Sequence, residues 1–245
     1  MAKIKVLVNG AQGKMGKETV NAVLKEGDLE LVGQADMGDN LAESIQETGA
    51  EVVVDFTLPS SVMENVKTIL KNKAHAVVGT TGLTQENLAE IRKLCSANKV
   101  NCIVAPNFAI GAVLMMKFAK EAAHYMPQVE IVELHHDQKA DAPSGTAIKT
   151  AQMILEDRGN MKTRDVKSTE KIKNVRGGKI GEIHLHSVRL QGLVAHQEVI
   201  LGGLGQTLTI RHDSISRESF MPGVIMAVRK VKKIKGLVYG LENLL

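Results

Sequence analysis

The stretch Glu133-Leu134-His135-His136-Asp137-Gln138-Lys139-Ala140-Asp141-Ala142-Pro143-Ser144-Gly145-Thr146-Ala147 gathers the groups best able to move protons. An imidazole and an ammonium close together can donate protons to a carbanion or enamine carbon left by hydride addition, provided each has a pKa near the working pH. His135, His136 and Lys139 are the candidates, and the spacing does not decide which of His135 and Lys139 delivers the proton. Pro143-Ser144-Gly145-Thr146 then reads as a helix start, whose hydroxyls and first-turn N–H groups suit a carboxylate. Read without context, the same residues are also compatible with a polar strand end followed by a capped helix.

A second set of residues is built for a phosphate. Gly10-Ala11-Gln12-Gly13-Lys14-Met15-Gly16 follows an apolar strand and opens a helix. Glycine lets backbone approach a pyrophosphate, and the helix N-terminus supplies N–H groups and a positive dipole end. The spacing is GxxGxxG, with Gln12 where the common dinucleotide fingerprint has its second glycine. Asp36 follows about 20 residues after the last glycine, the distance at which an acid meets the adenosine ribose hydroxyls. An acid there, followed by Met37, favours NADH, because a 2′-phosphate would be repelled. Lys14 partly offsets that repulsion and keeps NADPH as the alternative. Gly79-Thr80-Thr81-Gly82 and Ala105-Pro106-Asn107-Phe108 end two further strands, at the edge where ligands bind in such folds.

The elements that must position these groups alternate regularly at first. Strands are expected at Ile4–Val8, Leu29–Gln34, Val52–Phe56, Ala76–Val78 and Asn101–Ala105, with helices at Met15–Leu24, Ser60–Leu70 and Gln85–Cys95. This is the signature of an α/β chain with a parallel, doubly wound sheet. After residue 107 the pattern changes: helix Gly111–Tyr125, strand Val129–His136, helix Thr146–Asp157, then strands Ile183–Leu190, Ala195–Leu201 and Thr207–Arg211 in succession. That order predicts a second α+β domain with an antiparallel or mixed sheet. A final helix, Met221–Val231, could return to the first sheet. The expected division is 1–107 with 217–245 for the dinucleotide, and 108–216 for substrate and oligomerisation. Period-2 alternation puts Glu133 and His135 on one strand face, and Leu134 and His136 on the other. Residues 162–179 read as a mobile loop.

Composition narrows the function. With 44% hydrophobic and 24% charged residues the chain is an ordinary globular one, and with 2% aromatics its core must be aliphatic and Met-filled. So few aromatics also argue against single-strand nucleic-acid binding, which relies on base stacking. The net charge of +4 is mild. Much of it lies in Arg229-Lys230-Val231-Lys232-Lys233-Ile234-Lys235, read as a solvated helix end facing the negative end of the helix dipole. A modest positive field suits anionic ligands. Cys95 and Cys102 form no framework, the N-terminus enters a strand without room for a signal peptide, and no apolar run could span a bilayer; a cytoplasmic protein is expected. His184-x-His186 puts two imidazoles on one strand face, but a metal site is not expected, since no HExxH or cysteine ligand set accompanies them.

Taken together, these motifs resemble the dihydrodipicolinate reductase family over nearly the whole chain. The likeness rests on the Gly10–Gly16 loop, Asp55-Phe56-Thr57, Gly79-Thr80-Thr81-Gly82, Ala105–Phe108 and, most specifically, the segment from Glu133 to Ala147. It implies a Rossmann-like domain, a mixed-sheet domain that binds substrate, and a homotetramer. It further implies proton transfer by His135 and Lys139, and substrate contacts at His136, Ser144, Gly145, Thr146 and Thr81. The cofactor contacts implied are Gly10, Ala11, Gln12, Gly13, Lys14, Met15, Asp36, Gly79, Thr80, Thr81, Ala105, Pro106, Asn107 and Phe108. The implied reaction is NADH- or NADPH-dependent reduction of a cyclic dicarboxylate imine to tetrahydrodipicolinate, with closure about hinges at Phe108 and near Arg217. Many members carry Gly where this chain has Gln12, and NADPH-accepting members often carry a basic residue where it has Met37, which strengthens the lean to NADH. A dinucleotide sensor without turnover would lack the His135/Lys139 pair, and another Rossmann reductase would lack the Pro143–Thr146 segment. A nucleic-acid binder is the weakest rival.

Overall fold

A computed structural model describes residues 2–158 and 169–245. It divides into two compact units, one formed by Met1–Ile110 with Arg217–Leu245 and the other by Gly111–Ser216. In the first unit the chain runs β1 (Ile4–Asn9), α1 (Lys14–Lys25), β2 (Leu29–Ala35), α2 (Leu41–Thr48), β3 (Val52–Asp55), α3 (Val62–Lys71), β4 (His75–Val78), α4 (Gln85–Asn98) and β5 (Cys102–Val104). The second unit holds α5 (Ile110–Ala122), β6 (Gln128–His135), α6 (Gly145–Arg158), β7 (Gly178–Ile180), β8 (Ile183–Arg189), β9 (Ala195–Gly203) and β10 (Gln206–Ser214). The chain then returns to the first unit as α7 (Met221–Val231) and β11 (Leu237–Tyr239), each next to a short 3₁₀ turn.

The first sheet is wholly parallel, in the order β11-β5-β4-β3-β1-β2. Its strands are short valine-rich runs buried on both faces, as a sheet covered by helices on each side requires. Alternation divides the load. Leu7, Val53, Ala76 and Val78 join the cluster built with Val66, Ile69, Leu70 and Ile91 of α3 and α4. Val6, Val8, Val52, Val54 and Val77 point to the other face, where α1 and α7 bring Val23, Val224 and Val228; all eight are fully buried. The connection from β1 runs to β2 on one side and that from β3 to β4 on the other, so the order reverses between β1 and β3. A crevice opens at such a switch point, beyond the carboxyl ends of the strands. This is a Rossmann-like sheet.

The second sheet is mixed, ordered β10-β9-β6-β8-β7, with β6 and β8 parallel and the remaining pairs antiparallel. One face carries Ile131, Leu185, Val199 and Leu201, which are buried together with Ala147, Ala151 and Ile154 of α6. The other face presents Val132, Leu134, Val188 and Ile200, all half-exposed.

Three elements go beyond the sequence expectations. Helix α2 is short but marked, since the Asn40 side chain accepts from the Glu43 N–H and Gly49 closes it in the left-handed region. β7 and β11 have three residues each, too few to show a period, and exist because β8 and β5 offer them an edge. The basic stretch after α7 is not merely solvated: Arg229 pairs with Glu26 and Asp28, and Lys232 with Glu51. Of the expected loop 162–179, residues 162–168 lie outside the described residues, and the remainder runs through turns into β7.

Candidate active site

The first unit has a cleft of 840 Å³ at the carboxyl edge of its sheet, lined by Gly10, Gly13, Lys14 and Met15 after β1, Asp36–Asp39 after β2, Phe56–Ser61 after β3 and Gly79–Thr81 after β4. The glycine loop has the form a phosphate needs. Gly10 sits at φ +80°, which L side chains rarely adopt, and a Cβ at Gly16 would lie 2.0 Å from the Gly10 carbonyl oxygen. Gly13 is the N-cap of helix α1, which has no side-chain cap and no acid in its first turn, so its end is open to an anion. Across the cleft, Asp36 accepts from the Gln12 and Met37 N–H groups, each at 2.7 Å. The Met37 and Gln12 amides hold its carboxyl below the ordinary range, so it stays charged with lone pairs left for ribose hydroxyls. Met37 itself is 94% exposed. These features fit a dinucleotide.

The floor of the cleft is organised by a residue the sequence motifs named without a role. Asp55, fully buried at the end of β3, accepts from Asn9 Nδ2, Asn65 Nδ2, the Thr57 N–H, Thr57 Oγ1 and Thr80 Oγ1 at 2.7–3.2 Å. Gly79 is pinned against this floor, because a Cβ there would sit 2.0 Å from the Phe56 ring. Ala11, Gln12 and Ala105–Phe108 are not among the cleft-lining residues. Ala105 and Phe108 are buried, and the Phe108 ring packs edge-on against Phe56 at 5.9 Å.

The second unit holds the residues expected to move protons at the carboxyl end of β6. Glu133 and His135 share a face, and Glu133 Oε2 lies 2.5 Å from His135 Nδ1. Glu133 is fully buried and meets the Arg189 guanidinium at 2.9 Å through each oxygen. Burial alone would raise its pKa, but hydrogen bonds from Arg189, Ser187 and His135 together outweigh it and hold the carboxyl below its ordinary value. Burial pushes the His135 imidazole down, with Glu133 acting in the opposite sense. Lys139 Nζ is 2.6 Å from Asp141, whose carboxyl the ammonium holds low.

The chain then turns through a cis Ala142–Pro143 peptide to Ser144. The Ser144 N–H donates to Glu133 Oε1 at 3.2 Å, and its Oγ accepts from the Ala147 N–H at 3.2 Å. Ser144 is therefore turned inward, whereas Gly145 and Thr146 form the first turn of α6. His136 follows the last residue of β6, and its N–H faces the Val194 carbonyl. His135 and the start of α6 thus meet at Glu133, and Arg189 ties the Lys139 loop to the same carboxylate. The sequence did not single out Arg189. Its only signal there was strand parity, which puts Ser187 and Arg189 of β8 on the face of Glu133 and His135, and the register of β8 on β6 is a tertiary fact. His184 Nδ1 faces the Arg176 carbonyl, and His186 Nε2 faces Glu130; among the described residues no group of three or more metal-ligating side chains could hold an ion. No helix of the described residues is long and apolar enough to cross a membrane.

Known proteins agree with this assembly of parts. Residues 4–108 match the family described as dihydrodipicolinate reductase, N-terminus, and residues 111–245 match its C-terminus. A 4-hydroxy-tetrahydrodipicolinate reductase of Desulfitobacterium hafniense is 51% identical over the full length of both chains, and one of Coxiella burnetii is 54% identical over 99% of each. A solved structure, a dipicolinate-bound dihydrodipicolinate reductase from Paenisporosarcina sp. TG-14, superposes with a TM-score of 0.91 at 46% identity, covering 99% of this chain and 100% of that one. With both halves matched and half the residues shared with full-length relatives, the chain belongs to the dihydrodipicolinate reductase family, whose members are NAD(P)H-dependent oxidoreductases of the diaminopimelate route to lysine.

Proposed function

We propose that this chain reduces the double bond of a cyclic dicarboxylate imine to tetrahydrodipicolinate, with residues 1–107 and 217–245 binding the dinucleotide and 108–216 binding the substrate. The observation that carries this reading is the convergence of His135, the α6 N-terminus and, through Arg189, the Lys139 loop on one buried carboxylate, Glu133. The nicotinamide, when bound, supplies the hydride. The chain's own residues then bind, orient and protonate. Gly145 and Thr146, helped by His136, take the substrate carboxylates, where the helix dipole favours negative charge, and Ser144, turned inward, holds the α6 start to Glu133. His135 or Lys139 carries the proton to the carbon next to the site of reduction, and burial, which lowers the His135 pKa, favours its neutral ring.

Gly10, Gly13, Lys14, Met15 and the Gly79–Thr81 turn line the dinucleotide cleft. Ala11 and Gln12 shape the loop, and Ala105-Pro106-Asn107-Phe108 bounds the same carboxyl edge from β5. Asp36, held charged beside an exposed Met37 instead of a cation, favours NADH over NADPH. A homotetramer built on the second unit has support in the half-exposed Val132, Leu134, Val188 and Ile200 on one sheet face. The cytoplasm, with its NADH and NADPH pools, is the compartment that suits the reaction and the two unpaired, buried cysteines.

The test is a coupled assay in which pyruvate and aspartate semialdehyde are condensed by the upstream synthase, while NADH and NADPH oxidation are followed in parallel. Rapid substrate-dependent oxidation is expected, with the higher kcat/KM for NADH. His135→Ala and Lys139→Met should each lower kcat by about 10²–10⁴-fold with cofactor Kd unchanged. Near-full kcat in both variants would sink the assignment of these two residues.

A further inference from the structure

Nothing in the family resemblance accounts for Glu133 and Arg189, yet every group proposed to move a proton is tied to them. Arg189 has five guanidinium N–H donors, and all five are used. Nη1 donates to Glu133 Oε2 and the Val188 carbonyl, Nη2 to Glu133 Oε1 and the Asp141 carbonyl, and Nε to the Lys139 carbonyl, at 2.6–3.3 Å. Glu133 in turn spends Oε2 on His135 Nδ1 and Oε1 on the Ser144 N–H. One guanidinium and one carboxylate therefore join the imidazole, the backbone on both sides of the Lys139–Asp141 pair and the residue before α6.

We infer that Glu133 and Arg189 are the positioning pair of this site: Glu133 fixes the tautomer of His135, and Arg189 clamps Glu133 to the loop that presents Lys139. The inference deepens the proposed function and rests on its assignment of His135 and Lys139 as proton carriers. With an ionised carboxylate at Nδ1, the neutral ring keeps its hydrogen on Nδ1 and leaves the Nε2 lone pair as the atom that exchanges protons with a ligand. The charged groups facing His135 are Glu133 on its own strand, Arg189 on β8, and Lys139 of the loop with its partner Asp141. Of these, Glu133, bonded to the ring itself, favours its cationic form, and the two cations oppose it. Lysine cannot replace Arg189, because three donors on a point charge match neither the carboxylate fork nor three carbonyls at once.

The test pairs kinetics with NMR of the full chain carrying ¹³C,¹⁵N-labelled histidine, in which the His135 signal is the one missing from His135→Ala. In the parent protein the ¹³Cδ2 shift should report the Nδ1–H tautomer. Glu133→Gln should give a tautomer mixture, because its amide can either accept from or donate to Nδ1, and should move the His135 titration to lower pH. Arg189→Lys keeps the charge and most of the volume, which guards against a variant that fails to fold. It should lower kcat about tenfold or more, with a smaller change in cofactor Kd. A His135 tautomer and titration unaltered in Glu133→Gln, or a kcat in Arg189→Lys within twofold of the parent, overturns the inference. Those outcomes beside an inactive His135→Ala leave the carrier assignment standing, whereas an active His135→Ala removes that assignment and the positioning role with it.

Discussion

Asp36 and His135 show how a side chain's surroundings set its chemistry. Asp36 is a surface carboxylate whose charge is secured at physiological pH by two amides of its own loops, and the proposed preference for NADH rests on that charge repelling a 2′-phosphate. Replacing it with alanine should raise the KM for NADH about tenfold and narrow the NADH/NADPH preference, as parallel kcat/KM measurements would read directly. His135 carries the opposite lesson. Burial favours the neutral ring, so its pKa lies below the ordinary 6.5. If the neutral ring is the working form, kcat/KM falls only as the pH drops below 6.5, and the acid limb of the profile marks the imidazole. Loss of activity on raising the pH from 6 to 7 would instead make the protonated ring the donor.

At the scale of elements, the glycine loop works through backbone proximity. The start of α1 lies so close to the end of β1 that a Gly16 Cβ would meet backbone, which cannot swing aside as a side chain can. Gly16→Ala should therefore cost about 3 kcal/mol in urea unfolding and weaken dinucleotide binding together with stability. Most of these elements were legible in the sequence. Continuous valine runs announced a sheet covered on both faces, and the Pro143–Thr146 signal located the start of α6 within a residue. Helix α2 was missed although Asn40 and Glu43 mark its first turn, because two turns are too short for the apolar period to stand out. The carboxylate at Asp55 was visible as a motif, but its five donors come from β1, the loop after β3, α3 and the turn after β4, and only the folded sheet brings those together.

For the whole molecule, the shifted carboxylates and histidines act in one direction on acidification. Glu133 and Asp141 have pKa values below their ordinary 4.5 and 3.8. Their stabilisation is present above those values and is lost as the pH falls through the lower, folded ones. His135 resists protonation, so it too withdraws stability on acidification, starting below 6.5. The melting temperature should hold near pH 7 and fall steadily between about pH 5 and 3, and Glu133→Gln should flatten that fall in calorimetry. The pairs that tie Arg229 to Glu26 and Asp28 are partly exposed. Removing them with Arg229→Met should cost less than about 1 kcal/mol and cost least at high salt.

The sequence by itself determined what depends on neighbours along the chain: which of the longer segments are strands or helices, where the glycine loop and the acid after β2 lie, and that a histidine and a lysine stand beside a helix start. Those features follow from periodicity, capping and glycine geometry, which act over a few residues. Only the tertiary structure decided what depends on register. The parallel pairing of β6 with β8 brings Arg189 to Glu133 across 56 positions of chain, and with it the state of His135 and the hold on Lys139. No local propensity encodes that meeting, because a strand's partner is chosen by the packing of the whole sheet.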